Sequence, residues 1–184
     1  MTPDSKCFVY EYRKFRLILR QLKKELMNKK FTHLTNNGNP MMVDVGEKAI
    51  TERIAIAQTI VVLPMEIINN LENNDIHTKK GAVFQTAILA GIMGAKKTSD
   101  LIPLCHPLPL TKVDLTIVMN ENKEVVIQCL AKTKGQTGVE MEALTGATVA
   151  ALTIYDMCKG FSQDIVIRET KLMKKSGGKT DFER

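Results

Sequence analysis

Asp156 and Lys159 stand three residues apart in the run TIYDMCKG, a spacing that on a helix lets a carboxylate and an ammonium meet on one face. Such a pair is either a salt bridge at a helix end or a proton-transfer device in which each group sets the other's pKa. At the far end of the same stretch, VEMEALTGATVAALTIYDMCKG, come Glu140 and Glu142. Side chains two residues apart on a helix point about 200° from each other, so these carboxylates do not form one acid/base pair. Between the charged ends the residues are small and aliphatic. If one helix carries both Glu142 and Asp156, 14 residues apart, a rise of about 1.5 Å per residue separates their backbones by about 21 Å. A compact site built from one copy can hardly use both ends. Either the substrate is long, or a second subunit brings its copy of one end to the other.

Other candidates lie outside this stretch. His106 sits between Cys105 and Pro107, in a loop that Pro103, Pro107 and Pro109 hold extended. It is a structural histidine or an imidazole aimed by rigid surroundings. Cys105 beside it invites a metal or a thiol nucleophile, but no companion ligands stand at useful spacing. Residues 174–180, KKSGGKT, put cations around a glycine turn, either as a polar tail or as a wrap for phosphate oxygens. The end of this run is similar to that of a P-loop, yet Met173 occupies the place of the first glycine and no helix follows. Lys80-Gly81 offers an ammonium at a helix start, a position suited to anions.

The elements that must hold these groups can be read in order. Ala49 to Leu63 is rich in β-branched residues and closes at Pro64, which predicts a strand. A short helix is expected over Met65 to Leu71, and a mostly buried one over Gly81 to Lys96. Val113, Leu115 and Ile117 alternate with polar residues, and Val125 to Leu130 is β-rich, so the two form a hairpin around Asn120 to Lys123. Thr137-Gly138-Val139-Glu140 fits a capping box, opening a helix that runs from about Val139 to Lys159 and stops at Gly160. Ile165-Val166-Ile167 begins a last strand. With the two early helices taken as one crossover, the order is β-α-β-β-α-β, that of an α+β ferredoxin-like sandwich with an antiparallel four-stranded sheet and helices packed on one face. Upstream, Asn36 to Pro40 (NNGNP) is a turn that opens the main domain.

The bulk properties exclude several classes. A length of 184 residues suits one domain with a sizeable core. With 44% hydrophobic and 25% charged residues, and no apolar run near the ~20 residues of a membrane span, the expected protein is soluble and cytoplasmic. Four scattered cysteines without CxxC spacing point to reduced thiols. Of the net charge of +6, residues 1–26 contribute +4 from seven Lys/Arg and three Asp/Glu, leaving +2 for the rest. The basic residues 1–30 therefore form an extension: a solvated arm, a short amphipathic helix, or a segment upstream of a natural start at Met27. No basic face for nucleic acid is indicated for the body. An RNA-binding module remains the alternative from another class, but aromatic residues that would stack on bases total 5% of the chain.

Three runs together, KKGAVFQTAILAGIMGAKKTSDLIPLCHPL, GQTGVEMEALTGATVAALTIYDMCKG and KSGGK, closely resemble the cyclic pyranopterin monophosphate synthase family, MoaC, of molybdenum cofactor biosynthesis. The resemblance runs from about Phe31 to Phe182, so residues 31–184 are expected to be the catalytic domain. It implies a lyase that rearranges 3′,8-cyclo-7,8-dihydro-GTP to cyclic pyranopterin monophosphate and releases pyrophosphate. It implies Asp156 as catalytic carboxylate, with Lys159 and Lys80 as catalytic lysines. Leu104, Cys105, His106, Met141 and Glu142 match the segments that contact substrate. Arg53 and Lys175, with Glu140 and Lys179, are further residues near it. The family's fold is ferredoxin-like, and its assembly is a homohexamer, a trimer of dimers with interfacial sites. No cofactor and no protein-bound metal is expected, although a Mg²⁺-bound triphosphate could be the form that enters.

Overall fold

The computed structural model describes residues 37–184, so the expected basic extension of residues 1–30 lies outside the described residues. The chain divides into two units, Met1–Val43 and Asp44–Arg184. In the described part of the first, the anticipated turn is present at Asn37 and Gly38, with Gly38 at φ 80°. The described strands and helices belong to the second.

Strand β1 (Thr51–Val62) is the spine of the main sheet. It pairs antiparallel with β6 (Glu124–Gly135) on one side and with β7 (Val166–Ser176) on the other. β6 also pairs with β5 (Leu110–Met119), as the expected hairpin, turning through Asn120–Lys123 with Lys123 at φ 59°. One face of the sheet is built from short side chains. Ala55, Ala57, Thr59 and Val61 of β1 and Val125, Ile127, Cys129, Ala131 and Thr133 of β6 are all buried there. Alternation puts these residues on one side because side chains of a strand change face at every step.

Two long helices cover that face, as expected. α4 (Glu140–Cys158) lies over β1, β6 and β7, and α2 (Val83–Lys96) lies beside it over β5. Small residues let the layers approach. A Cβ at Gly91 would come 2.8 Å from the carbonyl oxygen of Gly146, and one at Gly94 would come 2.8 Å from Val149. Gly146 in turn lies so near the sheet that a Cβ there would sit 2.6 Å from the Cys129 sulfur. The aliphatic middle of α4 is thus the floor of a tight helix-on-helix, helix-on-sheet packing.

Several expectations are corrected. The sheet has five strands, not four, in the order β5-β6-β1-β7-β8. The fifth, β8 (Phe182–Glu183), forms because Gly177, at φ 84°, turns the chain back and pairs Lys174 with Glu183 and Lys175 with Phe182. Residues 174–180 are consequently a hairpin and its turn, not a loose polar tail. The first helix, α1, ends early, spanning Met65–Ile68 rather than reaching Leu71. After it β2 (Leu71–Glu72), β3 (Asp75–Thr78) and β4 (Gly81–Ala82) make a separate three-stranded sheet. Asn73 and Asn74 cause this: both take left-handed backbone angles, φ 50° and 63°, which suit a tight hairpin turn. Gly81 therefore belongs to β4, and α2 begins two residues later. A short helix α3 (Thr98–Leu101) follows α2.

The capping box is absent as well. Val139 occupies the cap position of α4 without a side-chain bond. The Glu140 carboxylate turns instead to Lys175, 3.2 Å away. Among the described residues no helix is long and apolar enough to cross a membrane, and Cys105, Cys129 and Cys158 are free thiols.

The close crossing makes a direct test. Gly91→Ala should lower stability by about 1–3 kcal/mol, the usual cost of overpacking, whereas Gly160→Ala, with nothing within 4 Å of the new methyl, should leave denaturant unfolding almost unchanged. A Gly91→Ala protein as stable as wild type would show that the helices can separate freely.

Candidate active site

At the C-terminal end of α4 one carboxylate receives two ammonium groups. Asp156 Oδ1 is 2.8 Å from Lys159 Nζ, on the same helix face three residues on. Its Oδ2 is 3.1 Å from Lys80 Nζ, which also donates to the Asp156 carbonyl oxygen at 3.4 Å. Lys80 reaches this point from the β3–β4 turn, not from the start of a helix, which corrects its expected place. All three side chains are more than half exposed. Lys159 first, then Lys80, holds the Asp156 carboxyl below its ordinary range, and Asp156 raises Lys159 in return. Asp156 is therefore held toward its carboxylate form and Lys159 toward its ammonium form, with Lys80 as the second partner of the carboxylate, on a face open to solvent.

The opposite end of α4 faces a second group. A pocket of about 150 Å³ is lined by Lys48, Arg53, Glu140, Lys175 and Lys179, with Gln136 and the Gly178 turn. Arg53 lies on the helix-covered row of β1, two residues before Ala55, and Ala55 is paired with Lys175 on β7. The register thus sets the guanidinium and the ammonium side by side. Arg53 donates to the carbonyls of Gly135 and Gln136 at 3.3 and 3.4 Å, which fixes its plane. Gly178 leaves room for it: a Cβ there would sit 3.0 Å from a guanidinium nitrogen. Four cations around one carboxylate make this an anion pocket.

Lys48 was not anticipated. It sits in the irregular segment before β1, and no motif marks it. Gln136 bonds the Gly46 carbonyl at 2.7 Å and so draws that segment against the loop before α4. This non-local bond, with that of the Thr51 hydroxyl to the Gly177 carbonyl at 2.7 Å, holds the segment beside the pocket, so nothing near Lys48 in the sequence could have signalled it.

Glu142 faces elsewhere, as the 200° rule required. It is 4% exposed and borders a hollow of about 250 Å³ with Lys96, Thr98, Ser99 and the Pro107–Pro109 segment. Burial pushes its carboxyl above the usual range, with a smaller push from the Glu140 charge. Cys105 is close enough to feel Glu142: burial first, then that carboxylate, raises its thiol. A thiol held protonated in this way is a poor nucleophile. Leu104 and His106 are half-buried in the same loop, and Met141 projects from α4 with its side chain partly exposed. A larger hollow of about 550 Å³ against β5, bordered by Ile92, Leu108 and Val113, contains none of the candidate residues. Among the described residues no group of three or more His, Cys, Asp or Glu side chains is placed to hold a metal ion.

A single chain therefore gathers the candidates into two regions rather than one. Arg53, Glu140, Lys175 and Lys179 meet in the anion pocket, with Glu142 and the Leu104–His106 loop near the same helix end. Lys80, Asp156 and Lys159 meet at the other. Because α4 is unbroken over its 19 residues, the backbones of Glu142 and Asp156 stand about 21 Å apart.

The electrostatics of the exposed triad can be titrated. By carboxyl NMR, Asp156 should lose its charge below the ordinary Asp value of ~3.9. Lys159→Met should raise the midpoint more than Lys80→Met does. The sign for stability follows: the depressed folded-state value favours the folded protein above the unfolded pKa, and this contribution vanishes as pH falls through the folded-state midpoint. An Asp156 midpoint unmoved by either substitution would break the assignment.

The model of the MoaC family matches residues 42–178. The chain is 53% identical over 155 residues to a molybdenum cofactor biosynthesis bifunctional protein of Synechocystis sp., covering 82% of this chain and 45% of that protein. It is 47% identical over 172 residues to molybdenum cofactor biosynthesis protein 1 of Dictyostelium discoideum, covering 84% of this chain and 27% of that one. The chain thus spans less than half the length of these curated relatives. Since the family match takes in every candidate residue except Lys179, from Arg53 on β1 to Lys175 on β7, the chain belongs to the MoaC family.

Proposed function

We propose that this chain is a cyclic pyranopterin monophosphate synthase, a lyase that converts 3′,8-cyclo-7,8-dihydro-GTP to cyclic pyranopterin monophosphate and releases pyrophosphate. The observation that carries the proposal is the bridging of Asp156 by Lys80 and Lys159, ammonium groups from two separate elements, on a face open to substrate. Ring opening and pterin closure need protons removed and delivered. The ionised Asp156 is the natural acceptor, and the two lysines are donors and charge stabilisers. Forming the cyclic phosphate breaks a phosphorus–oxygen bond of the triphosphate and leaves pyrophosphate. Arg53, Lys175 and Lys179, joined by Lys48, supply cations for that leaving group. Glu142, whose burial holds its proton to higher pH, suits a donor near the substrate's ring, with Leu104, Cys105, His106 and Met141 shaping the wall.

The separation along α4 supports an interfacial site. We read the assembly as a homohexamer, a trimer of dimers, in which Glu142 and the anion pocket of one subunit meet Asp156, Lys159 and Lys80 of another. The order β5-β6-β1-β7 of the four long strands supports a ferredoxin-like sandwich, to which β8 is added at the edge. A small-molecule biosynthetic role fits a cytoplasmic protein.

Incubating the purified protein with the cyclic dihydro-GTP intermediate should yield the pyranopterin product and pyrophosphate in equal amounts. Alanine at Lys80, Asp156 or Lys159 should lower the rate by at least about 10²- to 10⁴-fold, the usual worth of a positioned acid or base, without unfolding the protein. Folded, oligomeric protein that makes no product would sink the synthase reading. Mixing Glu142→Ala with Asp156→Ala subunits should restore part of the activity, and no recovery would place both ends of one helix in one site.

A further inference from the structure

The N-terminus of α2 is closed from a distance. Its cap position holds Ala82, whose backbone is extended (φ −71°, ψ 122°) and whose side chain can cap nothing. The amides of Phe84 and Gln85, second and third in the helix, donate instead to the two carboxylate oxygens of Asp75 at 2.7 and 3.2 Å. These are the amides that a Ser or Asp at the cap position would satisfy. Asp75 Oδ1 also accepts from the Ile76 amide at 2.6 Å, and the residue is only 7% exposed.

A local cap would serve the helix equally well but would connect nothing else. Asp75 is the first residue of β3, so its carboxylate ties the open end of the β3–β4 hairpin to the first turn of α2. Lys80 stands at the tip of that hairpin. The hairpin itself is slight: its register holds two pairs, His77 with Ala82 and Thr78 with Gly81. At the tip the Thr78 hydroxyl accepts from the Lys80 amide at 3.1 Å and donates to the Gly81 carbonyl at 3.2 Å. β2 pairs with β3 at Asp75 and Ile76, so among the described residues the two pairs toward the tip have no third strand beside them, and so short a hairpin does not hold its shape alone. Asp75 also lies close to the turn of α4 that carries Asp156. The Cys158 thiol there is pushed up to about 11, first by burial and then by the Asp75 charge.

We infer that Asp75 is a positioning residue: its bonds to the first turn of α2 anchor the β3–β4 hairpin and so hold the Lys80 ammonium against Asp156. The inference rests on the synthase reading for its consequence in turnover, but the placement of Lys80 can be measured without it.

Four variants separate positioning from mere helix capping: Asp75→Ala, Asp75→Asn, Ala82→Ser, and Asp75→Ala with Ala82→Ser. Asp75→Ala should lower both thermal stability and kcat, the latter about 100-fold, as for a reacting group displaced by about 1 Å, with KM unchanged. Adding Ala82→Ser should restore stability through a local cap yet leave kcat low. Asp75→Asn keeps an oxygen for Phe84 and Ile76, so it should fold and recover part of kcat even if Asp75→Ala does not fold. Ala82→Ser alone should behave as wild type. Independently of turnover, the Asp156 carboxyl midpoint in the double variant should rise to that of Lys80→Met. Recovery of both stability and kcat in the double variant would reduce Asp75 to a cap, and a wild-type Asp156 midpoint there would overturn the inference outright. If wild-type protein makes no product but the midpoint shifts as described, positioning stands and the synthase reading fails.

Discussion

One unbroken helix keeps its two charged ends about 21 Å apart, and its small-residue middle binds it to everything else. Gly146 sits against both Gly91 of α2 and Cys129 of β6, so α4 can neither lift nor rotate without opening the core. Each group of candidate side chains is consequently referred to one rigid rod. The anion pocket takes its position from the start of α4 and from the register of β1 with β7, and the lysine–aspartate triad takes its position from the end. Rigid elements of this sort hold reacting groups more closely than loops do.

The two ends differ electrostatically in ways that suit different work. Glu140 and Glu142 lie in the first turn of α4, where the helix dipole favours negative charge. Glu142 is nevertheless buried, and desolvation raises its carboxyl above the ordinary range in spite of the dipole. At the last turn the dipole disfavours Asp156, and two ammonium groups more than offset that. The exposed carboxyl is thus shifted toward its charged form and the buried one toward its neutral form. Environment pushes the two carboxyls in opposite directions, the kind of separation that distinguishes a proton acceptor from a proton donor.

Local contacts could be read directly from the chain. The spacing of Asp156 and Lys159 is a property of any helix, and their 2.8 Å pair followed. The divergence of Glu140 from Glu142 followed for the same reason. The β-branched run of β1, the hairpin of β5 and β6, and the long α4 were legible because each is long and strongly patterned. The small sheet was not, since strands of two to four residues carry too little pattern, and their existence depends on Asn73 and Asn74 adopting left-handed angles. The hairpin that ends in β8 was hidden similarly, behind residues polar enough to pass for a tail.

The sequence by itself determined which residues are candidates for chemistry and, through helix periodicity, which of them are near neighbours on one element. Tertiary structure alone decided the partners that come from far along the chain: Lys80 on Asp156, Glu140 turned from a cap to Lys175, Lys48 drawn to the anion pocket, and Asp75 closing a helix that begins eight residues later. The physical reason is that a spacing along a helix or strand fixes a direction in space, whereas a contact between separate elements depends on packing and register, which no local run of residues encodes.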